Sequence, residues 1–165
     1  MSSPSNSPLY ERDTVKQFLA TRVARPSSAG VIIENAAGEA LLLKAHYKPY
    51  WSFPGGWVED TQTPLQAALR ELQEEVGIEL DDSDVEFVFM VDRMSELMHT
   101  YQFMFRARIP LSDELLERIT LQADEISEWR VVSKGAVLAG ADNYGGAVIA
   151  WARDEQSGYV EQRIG

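Results

Sequence analysis

Between residues 63 and 77, Leu65, Ala68, Leu69, Leu72 and Val76 form one stripe of a helix with about 3.6 residues per turn, and Glu71, Glu74 and Glu75 share another face. The ends of this stretch carry matching signals. Thr63 stands at the N-cap, Pro64 at the first helical position and Gln66 where it completes a capping box, while Gly77 supplies a left-handed stop. Elsewhere the pattern is that of strands. Residues 29–33 and 39–44 are apolar runs joined by Asn35-Ala36-Ala37-Gly38, which predicts a β-hairpin. Residues 85–91 predict a strand broken only by Glu86. Tyr101, Phe103, Phe105, Ala107 and Ile109 alternate with Gln102, Met104, Arg106 and Arg108 in a second strand, leaving residues 92–99 as the hairpin connection. Val15, Phe18, Leu19 and Val23 recur at helical spacing and mark an N-terminal helix or a short docking segment. Late in the chain, Ser112 and Ser133 each cap a helical stretch, and residues 145–153 predict a short helix with Val148, Ile149 and Trp151. Residues 1–8 are rich in Ser, Pro and Asn and read as disordered, within an N-terminal extension over residues 1–26; residues 154–165 read as a polar tail. Strands and helices that mix without strict alternation predict an α+β fold, a helix packed on a mixed sheet.

Composition narrows the function classes. A chain of 165 residues with 45% hydrophobic and 10% aromatic residues suits one globular domain, and no apolar run nears the roughly 20 residues of a membrane span. The polar start has no signal-like apolar segment, so a cytoplasmic location is expected. With no cysteine there is no disulfide, thiolate metal site or cysteine nucleophile. A formal charge of −11 speaks against general nucleic-acid binding and against anionic membranes. Small phosphorylated substrates stay admissible, because a divalent cation inverts the potential of an acidic site.

The acidic helix face is the candidate chemistry. Three carboxylates at i, i+3 and i+4 repel one another by a few tenths of a kcal/mol per pair, roughly, unless a cation neutralises them. Carboxylate oxygens suit Mg²⁺ or Mn²⁺. On spacing alone a solvated acidic face, with Arg70 and Glu74 as an ordinary ion pair, explains the pattern equally well. Ahead of the helix, residues 45–50 bring His46, Tyr47, Lys48 and Tyr50 into a loop leading to Trp51 and Phe53. Such aromatic and cationic groups could hold the non-phosphate part of a ligand. Phe53 reads as core, whereas Tyr47 and Trp51 fit either role.

The whole string settles the choice. Gly56-x5-Gln62-x7-Arg70-Glu71-Leu72-x-Glu74-Glu75-x-Gly77-Ile78 resembles the Nudix box at every defined position but one, Gln62, where that family has Glu. The resemblance implies a Nudix-type α/β/α sandwich around a mixed sheet over residues 27–153. It also implies an Mg²⁺-dependent hydrolase, with Mn²⁺ as a substitute, that cleaves a diphosphate bond in a nucleoside diphosphate linked to another moiety or in a related nucleotide. Arg70, Glu71, Glu74 and Glu75 would then be catalytic. Glu71, Glu74 and Glu75 would hold the metal together with the Gly55 carbonyl, Arg70 orienting a glutamate. The stretch around residues 124–132 is similar to a family segment that leads into a late strand, which makes Glu125 a further candidate ligand or general base. Lys44, Tyr47 and Trp51 are candidate substrate-binding residues. The expected partner is a small nucleotide or nucleotide sugar, and a homodimer is compatible with the sequence. Three rivals remain at this stage: a non-catalytic nucleotide-binding module of the same fold, an isoprenoid diphosphate isomerase, which would need a cysteine absent here, and a chance acidic helix in a scaffold protein.

Overall fold

The computed structural model describes residues 12–155 and 158–164. The disorder expected for residues 1–8 lies outside them. Residues that follow form α1 (Arg12–Ala20), a helix with no buried residue, whose Phe18 and Leu19 are exposed.

The punctuation read around residue 63 builds α2 (Pro64–Val76). The Thr63 side chain accepts from the Gln66 N–H, the Gln66 side chain accepts from the Thr63 N–H, and Gly77 closes the helix at φ 73° with its N–H on the Gln73 carbonyl. Ala67, Ala68, Leu72 and Val76 are buried, and Leu65 and Leu69 pack against the same cluster.

The strands are β1 (Ser27–Ile32), β2 (Ala40–Ala45), β3 (Gly55–Trp57), β4 (Val85–Ser95), β5 (His99–Ala107), β6 (Ile126–Val132) and β7 (Tyr159–Ile164). They form a five-stranded mixed sheet of order β3-β1-β5-β4-β7 and a two-stranded sheet of β2 and β6. The hairpin expected between residues 29–33 and 39–44 therefore exists only at its turn. There Asn35 Oδ1 accepts from the N–H groups of Ala37 and Glu39, and the Leu41 N–H reaches the Ile33 carbonyl at 3.1 Å. Beyond it the strands part, because residues 51–57 run between them and take the hydrogen bonds of both. Ser52 exchanges two bonds with Leu43 of β2, the Pro54 carbonyl accepts from Val31 of β1, and β3 then pairs with β1. Both runs are buried on both faces, as continuous apolar strands require.

The expected connection over residues 92–99 is likewise mostly strand. Asp92 pairs with Tyr101 and Met94 with His99, so the turn shrinks to residues 96–98, and β5 stops at Ala107, short of Ile109. The segment read as a polar tail contains β7, which lies parallel to β4 from Met90↔Tyr159 to Ser95↔Ile164. Tyr159 helps to hold it there, donating to Asp92 Oδ2 at 2.8 Å. Its mixed polar and apolar sequence masked a strand that only the β4 edge can pair.

Alternate side chains supply two core layers. Val31, Leu41, Leu43 and Phe105 pack beneath α2, whereas Ile32, Leu42, Phe89, Val91 and Met104 pack beneath α4 (Lys134–Ala139) and α5 (Gly146–Ala152) through Val137, Val148 and Trp151. Ser112 and Ser133 cap α3 (Asp113–Glu117) and α4 as expected. The result is an α+β fold with helices on both sides of a mixed sheet. Among the described residues no helix is long and apolar enough to cross a membrane.

Candidate active site

Where β3 meets the acidic face of α2, the three glutamates have different surroundings. Glu75 is 3% exposed, and its Oε2 accepts from the Gly55 N–H at 2.7 Å. Burial pushes its carboxyl up to about 8, against the opposing pull of the Gly55 N–H and the Lys48 ammonium. Glu71 is mostly buried and is also raised, by burial first, with the neighbouring Arg70 charge opposing and Glu74 and Glu125 adding repulsion. Glu74 is half-exposed.

Arg70 ties these groups to the loop. Its guanidinium lies 2.8 Å from Glu71 Oε1 and 2.8 Å from Glu74 Oε2, and donates to the Trp57 carbonyl at 3.2 Å. The loop glycines permit the close approach. A side chain at Gly56 would collide with the Glu71 carboxylate, and one at Gly55, held at φ 152°, would run into the Ala29 carbonyl.

Glu71, Glu74, Glu125, Arg70 and Tyr47 line a recess of about 460 Å³ with Gly55 and Gly56 at its base. The structure thus brings Glu125 from the start of β6 to the glutamates of α2. Among the described residues nothing hydrogen-bonds its carboxylate, while its backbone carbonyl accepts from the His46 N–H. Also among the described residues, no three acidic or histidine side chains already close on one point as a metal cage. The donor chemistry nevertheless fits a hard divalent cation: Glu71, Glu74 and Glu125 line the recess without any sulfur, Glu75 is buried beside Gly55, and Glu71 and Glu75 are raised by burial and by repulsion that a cation would relieve.

The other expected residues divide. Tyr47, 66% exposed, stands at the recess, its hydroxyl raised by burial and by the charges of Glu75, Glu125 and Glu71. Trp51 belongs to the core: it is 8% exposed, packed on the α5 side, with the Arg130 guanidinium 4.3 Å above its ring. Lys44 pairs with Glu128 in the β2–β6 ladder and lines none of the recesses around the glutamates. Strand alternation explains Lys44, which shares parity with Ala40 and Leu42 and so faces the α5 layer rather than α2. Lys48, in the loop read as able to hold part of a ligand, lines a second cleft of about 320 Å³ together with Trp57 and Arg93, which sequence reasoning did not single out; this cleft shares Tyr47 and Trp57 with the recess. Lys48 is held below its usual range by burial, and Glu75 and Glu71 oppose that shift. Arg93 lay in the expected connection over residues 92–99, a segment read as able to border a ligand, without being singled out there.

Gln62 reaches the same guanidinium, with Oε1 3.4 Å from Arg70 Nε, whereas the exposed Glu59 approaches only to 3.8 Å. Gln62→Glu adds a charge-assisted bond of about 1 kcal/mol, which should tighten Mg²⁺ binding severalfold, while Glu59→Gln leaves it within about twofold. Calorimetric Mg²⁺ titration of both variants checks this; weaker binding in Gln62→Glu contradicts it.

A carboxylate-lined recess lies at the meeting of a capped acidic helix, a glycine turn and a mixed sheet, in an α+β fold with helices on both sides of that sheet. The model of the NUDIX domain matches residues 24–152, and the chain belongs to that family. Over 38 residues it is 60% identical to an 8-oxo-dGTP diphosphatase of Proteus vulgaris, a stretch covering 23% of this chain and 34% of that one. Over 58 residues it is 47% identical to an RNA pyrophosphohydrolase of Hydrogenovibrio crunogenus, covering 35% of this chain and 34% of the relative. These similarities span about a third of each relative's length. An Ap4A hydrolase of C. elegans, solved as a binary complex, superposes with a TM-score of 0.62 over 79% of this chain and 94% of its own, at 23% identity, a likeness of fold.

Proposed function

We propose that this protein is a divalent-metal-dependent hydrolase that cleaves a diphosphate bond in a nucleoside diphosphate linked to another moiety, or in a related nucleotide. The observation that carries the reading is the gathering of Glu71, Glu74 and Glu125 around one recess, with the buried Glu75 accepting from the Gly55 N–H beside them. Leaving such a group in place without a cation is costly. The relatives named as diphosphatase and pyrophosphohydrolase support the same class of chemistry.

Glu71, Glu74 and Glu75 would hold Mg²⁺ or Mn²⁺, with the backbone at Gly55 beside them. When bound, the cation neutralises phosphate oxygens and lowers the pKa of a water. The protein's own residues do the positioning. Arg70 fixes the rotamers of Glu71 and Glu74 and couples them to the Trp57 carbonyl. Lys48 attracts the phosphates across the second cleft. Glu125, unpaired among the described residues and lining the recess, would accept the proton of the attacking water.

The test is a panel of nucleoside triphosphates, nucleotide sugars and dinucleoside polyphosphates incubated in ¹⁸O-labelled water with Mg²⁺. Cleavage of a P–O–P bond with label in one phosphate product is expected. Tight binding of panel members with no cleavage of any would replace this reading with that of a non-catalytic binding module.

A further inference from the structure

The cleft does not end at Arg93. Its carboxylate recess meets the middle cleft at Tyr47, Gly55, Gly56 and Trp57, and the middle cleft meets a third chamber, of about 560 Å³, at Tyr50, Arg93, Gly145 and Gly146. One wall of that chamber is β7, which lies beyond the residues matched by the family model. We propose that the third chamber binds the second arm of the substrate, a nucleoside carried beyond the cleaved anhydride, and that Arg93 at its entrance is a specificity-determining residue. This rests on the hydrolase reading above and names where the linked moiety lies.

Strand alternation builds the chamber. Phe89 and Val91 of β4 and Val160 of β7 face the α5 layer, so Arg93 and Gln162, two residues further along each strand and paired in register, face the same way. Here α5 has only begun. Gly145 and Gly146 offer no side chain to fill the gap, and the Gln162 amide lies so close over Gly146 that a Cβ there would collide with it. Gln102 Oε1 accepts from the Arg93 guanidinium at 2.7 Å and fixes its direction.

The lining chemistry fits a nucleoside on a phosphate chain. Tyr50 and Tyr144 offer rings for a base to stack on, Arg93 attracts phosphate, and the Gln162 amide supplies an acceptor and a donor for base edges and ribose hydroxyls. The volume lies within the roughly 300–1,000 Å³ of small-molecule sites. With its one nucleoside on the other side of the glutamates, a nucleoside triphosphate leaves the chamber empty. A substrate with a nucleoside at each end fills it.

Ile149→Trp, which narrows the chamber, and Arg93→Met, which removes the cation at its entrance, test the assignment. For the wild type and each variant, kcat/KM with Mg²⁺ is measured for a dinucleoside polyphosphate, a nucleotide sugar and a nucleoside triphosphate. Calorimetry then gives the affinities of non-hydrolysable dinucleoside and triphosphate analogues. The preference for the dinucleoside over the triphosphate should fall at least tenfold in both variants, in rate and in affinity. Being a ratio within one preparation, it is insensitive to a partly unfolded variant. An unchanged ratio overturns the proposal, and so does a loss for the nucleotide sugar as large as that for the dinucleoside. If the wild type cleaves nothing, the hydrolase reading fails, and the calorimetric ratio still decides the chamber.

Discussion

Chelation of divalent cations is expected to abolish turnover, and Mg²⁺ or Mn²⁺ to restore it. Without a cation, Glu71, Glu74 and Glu125 present negative charge to a polyanionic substrate, and Glu75 sits buried behind them. Thermal stability provides an independent readout. In the metal-free protein the Glu75 carboxyl titrates at about 8 against an ordinary value of 4.5, so the folded state holds a proton that the unfolded state has released. Its contribution is complete below about pH 4.5 and is lost as pH rises toward 8, with a slope of at most about 1.4 kcal/mol per pH unit. Metal-free protein should therefore melt higher at pH 5.5 than at pH 8. Saturating Mg²⁺ should erase or reverse that order, because the cation competes with the proton. Full turnover in excess chelator would remove the basis of the proposed function.

Glu75→Gln is expected to lower kcat by at least about 100-fold, beyond the 10 to 100-fold loss typical when a partner of a metal ligand is removed. The amide has the shape of the carboxylate and can still accept from the Gly55 N–H, so the loop stays in place. What disappears is the charge. Metal-free Glu75→Gln should also melt at or above the wild type at pH 8 and lose the pH dependence between 5.5 and 8, since no ionised carboxylate need be buried. Single-turnover rates at saturating Mg²⁺ and melting curves at both pH values check the two halves. Loss of the pH dependence with an unchanged rate would make Glu75 a structural residue only.

Local order decided how much of this was legible. Every feature of α2 that rests on neighbours in sequence, its cap, its capping box, its Gly77 stop and its apolar stripe, was readable in advance, because each depends on contacts within one or two helical turns. The link between Arg70 and Gln62 was equally accessible, since the loop that carries Gln62 runs straight into the helix. Spacing alone, however, gave Glu71, Glu74 and Glu75 one common face. Their separation into a buried, a mostly buried and a half-exposed carboxylate comes from where β3 crosses α2.

By itself, then, the sequence determined the family, the α+β class and the acidic helix, all of which are carried by short-range pattern. Tertiary structure decided which strands pair. It split an expected hairpin between two sheets by running residues 51–57 between its arms, and made an edge strand of the supposed tail. It also sorted the candidate ligand groups, leaving Tyr47 at the recess and Lys48 in the cleft beside it, sending Trp51 into the core, and adding Arg93. Strand pairing is fixed by hydrogen bonds between residues far apart in sequence, and a strand buried on both faces carries no alternation to name its partner.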